Sequence, residues 1–216
     1  ASVASLVLYS YWRSSSSYRV RFALAAKKLA YQMITVNLLA GEQGLDAHKS
    51  RSPTGHVPCL LIEGKLFVES VAIIELLEEL YPEPALFPKS PWDRARVRTL
   101  VEIVNSGIQP LQNMKVMKRV GEGEPGRAFA KHFNEAGLAA FEQLLEIHSK
   151  EGIRGKYTYG DSLTAADIFL VPQFYSAKRF GVDTSKFPRI TAAAEAAMAT
   201  EAARAAHPDN QPDAVK

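Results

Sequence analysis

A run of four serines, Ser14 to Ser17, lies where a short β-prone segment gives way to a helical pattern. Arginines stand close by at positions 13, 19 and 21. A hydroxyl group and the free amides of a helix N-terminus can hydrogen-bond a thiolate and lower its pKa, so this turn could hold a bound thiol ionised near neutral pH. A polar cap on a solvated turn is the alternative interpretation of the same serines.

Two further features suit a peptide-like, anionic ligand. Val57-Pro58 precedes a predicted strand, and because proline donates no amide to a ladder, the neighbouring backbone is left free to pair with a ligand. Glu69-Ser70 precedes a predicted helix whose N-terminal amides favour a carboxylate. Each feature alone is also typical of a loop proline or a capped helix, but the two together are more specific.

The sequence shows no residue pattern for a serine hydrolase, a disulfide or a metal site. No histidine and aspartate pair has a recognisable spacing, which argues against a serine-hydrolase nucleophile. Cys59 is the only cysteine, so neither an intrachain disulfide nor a thiolate metal cage can form. We predict no metal site, because no ligand spacing is present among the histidines, which are His48, His56, His132, His148 and His207.

The composition is that of a globular protein. A chain of 216 residues with 47% apolar content suffices for one large unit or two small domains. Its 26 basic and 23 acidic side chains are spread along the sequence, which disfavours nucleic acid as a partner. We expect a soluble, unsecreted, cytoplasmic protein, because we find neither a signal-like N-terminus nor an apolar run approaching the roughly 20 residues of a membrane span.

Residues 1–82 are predicted to form a small mixed sheet covered by helices. Strands at 5–10 and 31–38 flank the first helix, and the right-handed crossover makes them parallel. After a polar connection at 41–52, a hairpin that reverses at Gly64 adds an antiparallel pair. Ser70 is the predicted cap of the next helix. The predicted buried helix faces are Phe22, Ala25, Ala26 and Leu29, then Ile73, Leu76, Leu77 and Leu80.

Four prolines between Pro82 and Pro91, in a stretch without periodicity, predict a domain boundary. We therefore predict a domain of residues 1–82, a linker of 83–91 and an all-helical domain of 92–216. Pro110 should kink the first long helix, and Thr164-x-x-Asp167 is a predicted capping box before a buried core helix. The predicted helical segments are 92–120, 126–150, 164–180 and 188–206.

These features together resemble the cytosolic glutathione transferases, whose first domain is thioredoxin-like and whose second is all helical. The segment Tyr9–Arg21 looks like the Ser-Ser-Cys-Ser-[aromatic]-Arg-Val-Arg signature of the zeta class. Gly107–Asn113, Leu170–Gln173 and His207–Asp213 also resemble zeta-class strings, so the resemblance covers essentially the whole chain.

The resemblance implies glutathione as cofactor and assigns roles to its ligands. Pro58 would be cis so that the Val57 backbone pairs with the cysteinyl part of glutathione, while Glu69 and Ser70 would hold the γ-glutamyl end. Ser14 would stabilise the thiolate, with Ser15 and Ser16 as the other catalytic candidates. The implied cofactor contacts are Ser14, Ser15, Ser16, Ser17, Arg19, Gln43, His56, Val57, Pro58, Glu69, Ser70, Gln109 and Asn113.

The resemblance also implies a site for a small carboxylate substrate. Arg179 would hold the carboxylate through paired N–H donors, although it could equally be an exposed surface charge. The implied substrate contacts are Trp12, Arg13, Gln109, Asn113 and Arg179.

The implied activity is glutathione-dependent cis–trans isomerisation of maleylacetoacetate to fumarylacetoacetate in tyrosine and phenylalanine catabolism, by a homodimer, with transferase activity toward small α-haloacids. Ser16 stands where the zeta signature has cysteine. Isomerisation can survive this difference because glutathione supplies the attacking sulfur, whereas reactions that need a protein thiol for disulfide exchange should be impaired. A general conjugating transferase or peroxidase, and a non-catalytic glutathione-transferase-like binding protein, remain the alternatives.

Overall fold

The computed structural model describes residues 5–215, and the chain divides into two compact units. The first contains the chain up to Ala85 together with the segment from Glu201 onward, and the second is Leu86–Thr200. The two units are described separately below.

The first unit is built on a mixed four-stranded sheet of order β2-β1-β3-β4. β1 pairs in parallel with β2, and β3 pairs antiparallel with β4, as predicted. β1 also pairs antiparallel with β3, which joins the two pairs into one sheet. The β3–β4 turn has positive φ at both Glu63 (50°) and Gly64 (78°), a backbone that suits a two-residue hairpin. Its elements are β1 Leu6–Ser10, α1 Ser15–Ala26, β2 Gln32–Thr35, a 3₁₀ turn Glu42–Gly44, α2 Asp46–Lys49, β3 Cys59–Ile62, β4 Lys65–Val68 and α3 Ser70–Leu80.

The second unit is helical. Regular helix ends at Glu102 and is followed by a π-helical turn and then by a 3₁₀ turn that contains Pro110, which supplies no amide to continue an α-helix. No helix within residues 5–215 is long and apolar enough to cross a membrane. The elements are α4 Pro91–Glu102, the π turn Ile103–Ile108, a 3₁₀ turn Gln109–Gln112, α5 Met114–Val120, α6 Glu124–Lys150, α7 Ala165–Arg179, a 3₁₀ turn Thr184–Lys186 and α8 Pro188–Met198.

The predicted capping box at the start of α7 is present. The Thr164 amide donates to the Asp167 carboxylate at 2.8 Å, and the Thr158 amide donates to its other oxygen at 2.9 Å. Asp167 is fully buried, and burial raises the pKa of its carboxyl group. The helix that follows is a core element, as predicted, because nearly all side chains from Ile168 to Ala177 are buried.

The C-terminal segment differs from the prediction, which assigned residues 92–216 to one helical domain after a linker at 83–91. The division instead falls between Ala85 and Leu86, and the segment from Glu201 onward belongs to the first unit. This segment contains α9 Glu201–Ala206 and a 3₁₀ turn Pro208–Asn210. The reason is tertiary packing, because α9 lies against α1 within the first unit.

Two predicted helix faces also need correction. α1 is buried around its circumference from Ser17 to Leu24, since both α3 and α9 pack against it, whereas Ala25 and Ala26 are half-buried. Leu29 lies beyond the end of α1. In α3 the buried residues include Ile73, Ile74 and Leu77, while Leu80 is 51% exposed.

Candidate active site

Ser14 is the N-cap of α1. Its backbone is extended, its Oγ accepts a hydrogen bond from the Ser17 amide at 3.2 Å, and its side chain is partly exposed. A hydroxyl that accepts one bond still has a proton to donate. The helix start also presents amides that lack an intrahelical acceptor. The cap and the thiolate site are therefore compatible roles for Ser14.

The other three serines divide into two kinds. Ser15 and Ser16 are partly exposed in the first turn of α1, whereas Ser17 is fully buried. The Ser17 side chain therefore does not reach the open surface of the turn, and its predicted contact with the cofactor stays a prediction. Its amide contributes by fixing the Ser14 hydroxyl.

An apolar cluster lies directly before the serine turn. Tyr11, Trp12, Val36 and Val57 form its buried part. Trp12 is only 8% exposed, so most of its ring packs within the first unit, and its predicted contact with the substrate stays a prediction. Arg13 is partly exposed, and its guanidinium stacks over the Trp12 ring at 5.4 Å. The cluster joins the segment before Ser14 to the loop before Pro58.

The Val57–Pro58 peptide bond is cis, as the resemblance implied. The paired part of β3 begins at Cys59, so the Val57 amide and carbonyl lie beyond the ladder. The loop is anchored at His56, whose amide donates to Ser52 Oγ at 3.2 Å and whose carbonyl contacts His48 Nε2 at 2.9 Å. The backbone at this end of the sheet is thus held in place, while the His56 side chain is exposed.

The start of α3 combines an exposed carboxylate with a buried hydroxyl. Glu69, with φ 67°, occupies the N-cap position and is exposed, and Ser70 is the first helical residue rather than the predicted cap. The positive φ at Glu69 turns the chain from β4 into α3, so the helix begins at Ser70, one residue earlier than the predicted cap implied. Both residues lie at amides that favour an anion.

Arg19 reaches this helix start from inside the first unit. Its side chain is 1% exposed, and its Nη1 donates to Ser70 Oγ at 3.2 Å. Since a guanidinium only donates, the Ser70 oxygen must accept, and its own proton remains available for an acceptor such as a carboxylate. Arg19 therefore acts on this helix start through Ser70, and its predicted direct contact with the cofactor stays a prediction.

Gln43 presents an unused acceptor. Its Nε2 donates to the Leu38 carbonyl at 3.4 Å, and its Oε1 is buried without a hydrogen-bond partner among residues 5–215. Leu38 packs on the apolar cluster that contains Val57. A buried carbonyl oxygen without a donor is costly, so a ligand N–H group would stabilise it.

In the second unit, Gln109 is the first residue of the 3₁₀ turn and Asn113 follows its last residue, and both are partly exposed. Asn113 caps α5 by accepting from the Lys115 amide at 3.0 Å. Arg179 ends α7 and is exposed, with its guanidinium 5.9 Å from the Tyr175 ring and its carbonyl accepting from Arg127 Nη2 at 3.2 Å. A cavity of about 370 Å³ lies nearby in this unit, lined by Met114, Met117, Lys118, Gly121, Glu122, Gly123 and Arg127.

A buried amide network supports the Gln109–Asn113 turn, and no spacing in the sequence predicted it. Gln112 Oε1 accepts from Asn134 Nδ2 at 2.8 Å and from Gln173 Nε2 at 2.9 Å. Asn134 and Gln173 are fully buried. The signal in the sequence is that Asn134 in α6 and Gln173 in α7 are polar residues among apolar ones, which is consistent with buried, hydrogen-bonded side chains.

Cys59 does not replace the cysteine of the zeta signature. It lies in β3, its side chain is fully buried, and burial raises the pKa of its thiol. The thiol therefore stays protonated and unreactive near neutral pH.

Within residues 5–215 no group of three or more His, Cys, Asp or Glu side chains could hold a metal ion.

Comparison with known proteins identifies the family. Residues 8–85 match the family described as Glutathione S-transferase, N-terminal domain. A relative from Caenorhabditis elegans, named probable maleylacetoacetate isomerase, is 46% identical over 209 residues, which are 96% of this chain and 95% of that protein.

Solved structures agree with this match. A holo maleylpyruvate isomerase, described as a bacterial zeta-class glutathione S-transferase, has a TM-score of 0.93 at 38% identity, covering 97% of this chain and all of that one (100%). Maleylacetoacetate isomerase from Anaeromyxobacter dehalogenans 2CP-1, with glutathione bound in its active site, has a TM-score of 0.88 at 48% identity, covering 98% and 99% of the two chains. The chain therefore belongs to the zeta class of the glutathione transferase family, which confirms the predicted family and fold class.

Proposed function

We propose that this chain is a glutathione-dependent isomerase that converts maleylacetoacetate to fumarylacetoacetate. The observation that carries the proposal is Ser14, a partly exposed hydroxyl at the amide-rich start of α1 with a proton left to donate. It lies two residues after Trp12, which packs with Val57 in one apolar cluster. The relatives named above for their maleyl substrates support the choice of reaction.

The residues present suit glutathione. The unpartnered Gln43 Oε1 can accept from a ligand N–H group, and Ser70 can donate to the γ-glutamyl carboxylate. The Val57 backbone beyond the β3 ladder can pair with the cysteinyl part, in the manner of an added strand. When bound, glutathione supplies a thiolate that adds reversibly to the double bond and so permits rotation.

The role of the chain in that step is to hold the sulfur ionised. The Ser14 hydroxyl donates a hydrogen bond to the sulfur, and the α1 amides at Ser15 and Ser16 add a positive potential. Both contributions lower the pKa of the thiol because they stabilise its charged form. On the substrate side we assign Gln109 and Asn113 as polar contacts and Arg179 as the carboxylate partner.

The proposal extends to three further properties. A protein that uses glutathione on small carboxylates is expected to displace halide from small α-haloacids, while Ser16 should impair reactions that need a thiol at this position. We place the enzyme in the cytoplasm, in tyrosine and phenylalanine catabolism. We also propose a homodimer, the symmetric state commonest among soluble oligomers.

The test is cis–trans isomerisation of maleylacetone or maleylacetoacetate, followed with glutathione included and omitted. We expect turnover only with glutathione. No turnover by folded protein that retains glutathione in calorimetry would overturn the isomerase proposal. Faster turnover of aryl halides or hydroperoxides would make it a general transferase or peroxidase, and failure to retain glutathione would make it a non-catalytic homologue.

A further inference from the structure

The C-terminal segment from Glu201 onward contacts the residues that lead into Ser14. α9 packs against α1, and Arg21 of α1 is fully buried with its Nε donating to the Ala206 carbonyl at 3.1 Å. Burial lowers the pKa of Arg21 to about 10, so the guanidinium still carries its charge at neutral pH. One fixed cation thus joins the C-terminal segment to α1.

The same guanidinium holds the peptide groups that precede the serine turn. Arg21 Nη1 donates to the Tyr11 carbonyl at 3.2 Å and to Ser10 Oγ at 2.9 Å, and Nη2 donates to the Trp12 carbonyl at 2.9 Å. The Tyr11 carbonyl also accepts from the Ser14 amide at 3.1 Å. Arg21 and Ser14 therefore share one acceptor, so a movement of the Tyr11 peptide would move Ser14.

Asp213 holds the N–H side of the same peptide group, the one between Tyr11 and Trp12, whose carbonyl accepts from Arg21. Its Oδ2 accepts from the Trp12 amide at 3.0 Å, and the following residue, Ala214, packs on the apolar cluster that contains Trp12. Gln211 closes the segment on itself, because its Nε2 donates to the Ala205 carbonyl at 2.9 Å and to the His207 carbonyl at 2.8 Å. The Trp12 amide and carbonyl are thus both held by charged groups, one of them from the C-terminal segment.

We propose that Asp213 is a positioning residue of the thiolate site, which holds Ser14 in place through the Trp12 amide. This inference rests on the proposed role of Ser14. A hydroxyl that stabilises a thiolate must be held to within a fraction of an ångström, and a displacement of about 1 Å can lower a rate about 100-fold. Asp213 does not touch the reacting atoms, so its effect must pass through the backbone of Trp12 and Tyr11.

The experiment compares Asp213→Ala, Asp213→Asn and wild type, with Glu201→Gln as the control at an exposed acid of the same segment. For each protein we would measure kcat and KM for glutathione, glutathione affinity by calorimetry, and the pKa of bound glutathione from its ultraviolet thiolate absorbance. Asp213→Ala should lower kcat about 10- to 100-fold and raise that pKa, with little change in affinity. Asp213→Asn keeps an acceptor oxygen for the Trp12 amide, so most of the activity should return.

An Ala variant with wild-type kcat and wild-type thiol pKa would overturn the inference, as would an Asn variant as impaired as Ala. If Asp213→Ala fails to fold, Asp213→Glu serves instead, because it keeps the charge and displaces the carboxylate by about 1.5 Å. A folded Glu variant with an unchanged thiol pKa would contradict the inference. The thiol titration needs only glutathione binding, so it tests Asp213 even if the wild type isomerises no maleyl substrate.

Discussion

Arg19 and Ser70 form a buried hydrogen bond in which the Ser70 oxygen is the acceptor. Arg19 Nη1 donates to Ser70 Oγ at 3.2 Å, and both side chains are at least 96% buried, with 1% and 4% exposure. The hydroxyl oxygen is engaged by a donor, which leaves the proton for an anionic ligand.

Replacing Ser70 should therefore weaken cofactor binding more than catalysis. A hydrogen bond to a charged group contributes about 1.5–3 kcal/mol, so Ser70→Ala should raise the glutathione Kd about 10- to 100-fold with kcat changed little at saturation. Calorimetry and steady-state kinetics would measure the two effects. Ser50→Ala is the control, because Ser50 is an exposed serine of the same unit whose hydroxyl contacts the Ala47 carbonyl. Unchanged affinity in Ser70→Ala would remove Ser70 from the site.

Ser14→Ala should have the opposite effect to Ser70→Ala, lowering kcat more than glutathione affinity. We expect a large fall in kcat at neutral pH with a modest loss of glutathione affinity, because the thiolate loses a donor and its pKa rises. Since the ionised fraction then recovers at higher pH, kcat of the variant should rise with pH over a range in which wild type is already level. A pH–rate profile at saturating glutathione would measure this.

The Ser14 variant also loses a helix cap, which costs about 1 kcal/mol of folding stability by itself. Ser90→Ala is the matched control, because Ser90 caps α4 and its Oγ accepts from the Asp93 amide at 3.4 Å. It should lose similar stability in denaturant unfolding while kcat stays near wild type. Equal losses of kcat in both variants would show that capping, and not thiolate stabilisation, explains the effect of Ser14→Ala.

Ser16→Cys should add a reaction without removing one. A partly exposed thiol at the start of α1 would have a lowered pKa and could form a mixed disulfide with glutathione, while isomerisation changes little. Mass spectrometry after exposure to oxidised glutathione would detect the adduct. The wild-type chain is the control, because its buried Cys59 should stay unmodified. An unmodified Ser16→Cys protein would show that this position faces away from the cofactor.

The amide network should stabilise the second unit and set the shape of the substrate turn. Asn134→Ala removes one of the two donors to the buried Gln112 Oε1 and one of the two acceptors of the buried Gln173 Nε2, so the free energy of unfolding should fall by about 1–3 kcal/mol. Because Gln112 lies between Gln109 and Asn113, KM for the maleyl substrate should rise while the glutathione Kd stays near wild type. Asn105→Ala, at a surface asparagine of the same unit, should change stability by no more than about 0.5 kcal/mol. Wild-type stability in Asn134→Ala would contradict the role of the network.

Much of the fold was predictable because its signals are local. The hairpin at Gly64, the disruption of helix near Pro110 and the Thr164–Asp167 capping box each depend on residues close together in sequence. The Ser14 cap was among these signals, since a capping hydroxyl bonds an amide three residues away. The family followed from longer strings such as Tyr9–Arg21.

The family, most of the succession of elements and the serine turn could thus be predicted from the amino-acid sequence, because helix caps, turns and hydrophobic periodicity act over a few residues. Three features required the folded structure: the segment from Glu201 onward belongs to the first unit, Arg21 is buried, and Asp213 accepts a hydrogen bond from the Trp12 amide. The two residues of that last contact are 201 positions apart. No local pattern encodes such a pairing, since it forms only when folding has buried α1 on every side and removed water from its polar groups.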